Sequence, residues 1–87
     1  MNDSPWQLEG WIRCDQVITR TFKFDDYYQT MAFANAVAWL SHRADHHPLM
    51  RVGYDTCQVE YTTHHAGGLT EKDYACAARV NALLTPL

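Results

Sequence analysis

The chain has no apolar run near the length of about 20 residues that a membrane-spanning helix needs, and no run of Lys or Arg. Of its 87 residues only seven are Lys or Arg against ten Asp or Glu, for a formal net charge of −3. That balance argues against nucleic acid or an anionic membrane as a partner. The opening MNDSPWQLEG lacks the basic start and apolar middle of a secretory leader, so a cytoplasmic protein is expected. Cysteine is scarce as well. Cys14, Cys57 and Cys76 are odd in number and follow no metal or redox spacing, which points to reduced thiols rather than a disulfide framework. Internal repeats, low-complexity stretches and linkers are missing too. One domain over residues 1–87 is therefore expected, with a thin core that oligomerisation would help to bury.

What is present is ordered. After a lead-in of ten residues, WIRC-DQ-VITRTFKF predicts a hairpin turning at Asp15-Gln16. Ile18, Phe22 and Phe24 share one face by the two-residue period, and Arg20 falls on that same face. DDYYQTMAFANAVAWLSHR predicts a helix capped by Asp26 with Gln29 three residues on, and Phe33, Val37 and Leu40 as its buried stripe. Pro48 drives His47 out of helical geometry. LMRVGY and CQVEYTT predict two strands joined at Asp55-Thr56, and HAGG breaks the second. Thr70-Glu71-Lys72-Asp73 is a capping box for a last helix whose apolar stripe is Cys76, Val80 and Leu83. The order β-β-α-β-β-α predicts an α+β domain: a four-stranded, largely antiparallel sheet with both helices on one face.

All five histidines fall between His42 and His65, and four of them form two adjacent pairs. Imidazole is the side chain whose ordinary pKa lies near neutrality. Solvated or structural histidines account for any one of them. His42 and His46, at i, i+4 with His64 as a third ligand, would account for a metal site. Imidazoles around one pocket would also supply a proton donor and an acceptor at neutral pH without a metal.

DHHP, a tyrosine six positions after its proline (Tyr54), then TTH, GGLT and EKD resemble the pterin-4a-carbinolamine dehydratase family, and GW at Gly10-Trp11 and FKFDDY extend the likeness. The resemblance implies a dehydratase acting on 4a-hydroxytetrahydropterin. It would eliminate water to give quinonoid dihydropterin, downstream of a pterin-dependent aromatic amino-acid hydroxylase. It also implies no metal, no bound cofactor, and a homodimer or homotetramer formed through sheet and helix surfaces. By position in the motif, His46 and His64 would transfer protons, His47 would bind and orient the pterin, and Asp73 would hold a histidine or the pterin in position. His42 and Tyr54 are possible accessory groups, and Asp73 has a rival role as a helix cap.

The chain departs from the family in three places. His42 stands where an acidic residue is frequent, Met50 stands where an aromatic is frequent, and the helix that commonly precedes GW is shortened or absent. His65 stands outside the motif. Because one member of the family also serves as a dimerisation cofactor for a homeodomain factor, a catalytically weak interaction module of the same fold is the alternative.

Overall fold

The computed structural model describes residues 8–84, and of His64 the backbone alone. The lead-in at residues 1–7, where a helix before Gly10-Trp11 would fall, lies outside the described residues. Strands β1 (Ile12–Cys14) and β2 (Val17–Lys23) form the first hairpin, followed by helix α1 (Tyr27–Ala44). Strands β3 (Leu49–Val52) and β4 (Thr56–Tyr61) form the second, followed by a 3-10 turn at His64–Ala66 and helix α2 (Glu71–Ala82). All neighbours in the sheet are antiparallel, in the order β1-β2-β4-β3. The fold is the expected α+β arrangement. No helix among the described residues is long and apolar enough to cross a membrane.

Alternation decides which face of the sheet is buried. Ile18 and Phe22 of β2 and Cys57, Val59 and Tyr61 of β4 join Phe33, Ala34 and Val37 of α1 and Cys76, Ala77 and Val80 of α2 in one core. The opposite face carries Thr21, Lys23, Gln58 and Glu60, a polar set that water can solvate. Arg20, which breaks the apolar pattern of β2, lays its guanidinium over the Phe22 ring at 4.5 Å. Its Nη1 donates to Asn81 Oδ1 and to the Glu9 carbonyl. An arginine on an inward face is thus accommodated by a ring beneath it and acceptors at the rim.

The helix ends follow from local chemistry. Asp26 accepts from the Gln29 amide at 2.8 Å, while the Gln29 side chain reaches back to the amide of Asp25 rather than that of Asp26. At the other end Asp45 adopts a left-handed conformation (φ 54°). Its N–H donates to the His42 carbonyl and the His46 N–H to that of Ser41. This Schellman-type closure reverses the chain within one residue and turns His46 back toward the core. In α2 the buried stripe is Asp73, Tyr74, Cys76, Ala77 and Val80; Leu83 lies beyond the last turn and is exposed, contrary to the pattern read from sequence.

Candidate functional site

The two histidine segments meet at the end of the sheet where β3 begins and β4 finishes, since Leu49 pairs with Glu60. The point of convergence is Asp73, a carboxylate with no solvent exposure. Its Oδ1 accepts from His46 Nε2 at 2.5 Å. Its Oδ2 accepts from the Thr63 hydroxyl at 2.6 Å and from the Thr70 N–H at 2.9 Å. The Thr70 bond is one half of the capping box that starts α2. Capping and histidine binding are therefore not rivals, because each uses a different oxygen. Both oxygens are engaged within the chain, Oδ1 by His46 and Oδ2 by Thr63 and Thr70.

His46 is 8% exposed and stacks on Tyr61, with ring centroids 5.7 Å apart and planes at 8°. Tyr61 in turn hydrogen-bonds Ser41 of α1 at 2.6 Å. A carboxylate only accepts, so Nε2 carries the proton in this bond and the lone pair of the neutral ring is left on Nδ1. That nitrogen has no partner among the described residues. The ring is thus held at Nε2 by Asp73 and across its face by Tyr61.

His47 faces the other way. It is exposed, its ring lies 5.9 Å from that of His42, and it lines a cleft of about 340 Å³ with Pro48, Leu49, Glu60 and Thr62. Glu60 and Thr62 belong to the polar parity of β4, and their place in a cleft beside His47 depends on strand register. The sequence alone does not show this cleft. The Glu60 side chain makes no hydrogen bond or ion pair among the described residues. The loop behind it is braced from the first hairpin, where the Gln16 carbonyl accepts from Thr62 Oγ1 at 2.6 Å. The Gln16 side chain also lies so close to Gly68 (φ +148°) that a Cβ there would come within 1.7 Å of its Oε1.

The other expected residues divide. The side chain of His64 lies outside what is described; its backbone opens the 3-10 turn directly after Thr63, so the extended geometry of β4 does not persist to it. His42 is brought to His47, with ring centroids 5.9 Å apart, and the His46 Nε2 is engaged by Asp73. Among the described residues no group of three His, Cys, Asp or Glu is arranged to hold a metal ion. Tyr54 is 66% exposed in the β3–β4 turn, at the opposite end of those strands, and one subunit does not bring it to His47.

The model of the family described as pterin 4 alpha carbinolamine dehydratase matches residues 2–83. The chain belongs to the pterin-4a-carbinolamine dehydratase family. Among its dehydratase relatives is one from Nitrosomonas eutropha, 65% identical over 79 residues, or 90% of this chain and 70% of the relative. Another from Nitrosospira multiformis is 60% identical over 77 residues, covering 88% of this chain and 68% of that one. Both carry the dehydratase name in provisional form. A crystal structure of a transcriptional coactivator/pterin dehydratase from Brucella melitensis superposes with a TM-score of 0.84 at 35% identity, over 90% of this chain and 85% of that one. A pterin dehydratase-like protein identified as a RuBisCO assembly factor in the alpha-carboxysome superposes at 0.70 and 28% identity, over 98% of this chain and 95% of that one.

Two outcomes are expected of this geometry. Asp73→Asn leaves a donor against His46 or Thr63 in a buried site and costs about 3 kcal/mol, a fall in Tm of roughly 12–24 °C by thermal unfolding. Burial pushes the Tyr61 phenol up to about 12, with the Ser41 hydrogen bond opposing and the Cys76 and Asp73 charges reinforcing the shift. An unfolded phenol ionises near about 10, so the unfolded chain sheds this proton first. Stability therefore falls as pH rises from about 10 toward about 12, with no contribution below. Ultraviolet titration should show a late phenolate step that is missing in Tyr61→Phe.

Proposed function

We propose that the chain dehydrates 4a-hydroxytetrahydropterin to quinonoid dihydropterin. The observation that carries this reading is the buried His46–Asp73 pair, with Nδ1 of His46 left without a partner among the described residues, at the sheet end where His47 lines a cleft. Elimination needs a proton delivered to the C4a hydroxyl, which leaves as water, and loss of the N5 proton as the C4a–N5 double bond forms. With Nε2–H held by Asp73, His46 offers Nδ1 as the base toward N5, and the carboxylate stabilises the imidazolium that results. His64 is the partner that protonates the departing hydroxyl, by its motif position and by its place next to Thr63. Each positioned group is worth about 10²–10⁴ in rate. Proton exchange with water resets the pair.

His47 and Glu60 would hold the substrate. A pterin presents adjacent N3–H and 2-amino donors, which a carboxylate can accept in parallel, and Glu60 is the unengaged carboxylate of the cleft. Pro48 and Leu49 supply an apolar wall for the ring.

A homodimer or homotetramer is part of the same reading. It is supported by exposed Tyr28 and Trp39, eleven residues apart on α1, and by exposed Leu49 and Val52 on edge strand β3. Those surfaces also favour the rival, a catalytically weak interaction module, which tight self-association without pterin turnover would support.

Stopped-flow decay of the 4a-hydroxy intermediate tests the proposal. His46→Ala should lower kcat by about 10²–10⁴, and Glu60→Gln should raise KM several-fold with kcat kept. A His46→Ala, His64→Ala double variant that matches wild type removes the dehydratase reading.

A further inference from the structure

A second cleft, of about 370 Å³, lies where the end of α1 meets one face of α2, lined by Arg43, Ala44, Lys72, Ala75, Cys76 and Arg79. Positions 72, 75, 76 and 79 follow the i, i+3, i+4, i+7 spacing of a single helical face. Ala44 and Ala75 leave the space open, Cys76 forms a nearly buried floor, and the three cations surround it. Arg43 is held at the rim by lying over the Trp39 ring at 5.4 Å.

In a chain of net charge −3, this gathers three of its seven Lys and Arg residues around a cleft whose lining holds no carboxylate. Three of the others have protein acceptors. Lys23 pairs with Asp55, Arg20 binds Asn81 and the Glu9 carbonyl, and Arg13 binds the Asp15 carbonyl. Arg43, Lys72 and Arg79 form no ion pair among the described residues.

Helix dipoles favour Arg43 and Arg79 individually, since each sits in the last turn of its helix. They disfavour Lys72, which stands in the first turn of α2 where the dipole is already positive. No dipole accounts for the convergence of all three. Both α2 charges also reach the floor: Arg79 and Lys72 draw the Cys76 thiol downward, against the larger upward push of its burial.

We propose that this cleft binds a phosphate-type oxyanion carried by a small molecule, with Arg43, Lys72 and Arg79 as its ligands. Two guanidinium forks suit the bidentate geometry of phosphoryl oxygens, and the lysine supplies a point charge. The site lies on the helical layer, separate from the cleft lined by His47. Mutual repulsion is the cost of the empty cleft, and an anion relieves it.

Thermal unfolding with inorganic pyrophosphate at fixed ionic strength, balanced with sodium chloride, tests the site. Pyrophosphate should raise Tm with the logarithm of its concentration above Kd, by roughly 6–11 °C at ten times its Kd, with inorganic phosphate weaker. The Arg43→Gln, Arg79→Gln double variant should be at least as stable as wild type without ligand and lose that shift. Amide chemical-shift mapping on the wild-type protein should place the perturbations at residues 43–44 and 72–79, whatever the variant's stability. An unmoved wild-type Tm, a shift retained in the variant, or perturbations mapped elsewhere would overturn the proposal.

Discussion

A single buried carboxylate holds this structure together at its functional end. Asp73 receives three donors from three parts of the chain: the imidazole after α1, the hydroxyl after β4 and the amide that starts α2. A buried carboxylate is tolerable only when its oxygens are supplied with donors. The three segments must therefore arrive together or each leave an unpaired group behind. One oxygen serves the local cap and the other fixes a ring 27 residues away, so the start of α2 and the aim of His46 are one interaction.

Around this anchor the histidines divide by environment. His46 is held by Asp73 and Tyr61, whereas His47, its neighbour in the chain, stands in solvent beside His42 at a cleft on the polar face of the sheet. Adjacent side chains pointing opposite ways permit this division, and the left-handed Asp45 supplies the turn that sets it. In the proposed dehydratase reading, proton transfer and substrate holding fall to different residues of one dipeptide.

Much of the architecture was legible because its signals are local. The Asp15-Gln16 turn, the Asp26 and Thr70 caps and the two-residue period of Ile18 and Phe22 need only a few neighbouring residues to be read. Of the candidate site, the ordered histidine motif named His46 and Asp73, which the structure joins. What escaped depends on distant partners. Arg20 on an apolar face makes sense only with Asn81, which is 61 residues away. Asp73 looked like either a cap or a site residue, because nothing in the spacing shows that its oxygens are shared out. Tyr54 belongs to the motif by position, yet strand direction carries it to the far end of the hairpin. Glu60 reads as a solvated strand residue until register sets it opposite Leu49 beside His47.

The most direct test of this account is the protonation of the His46 ring, read by long-range nitrogen–proton NMR correlation. Asp73 as acceptor requires a proton on Nε2 of the neutral ring, protected from exchange with solvent, and its loss or acceleration in Asp73→Asn. A neutral His46 carrying its proton on Nδ1, or one exchanging as fast as His47, would contradict it.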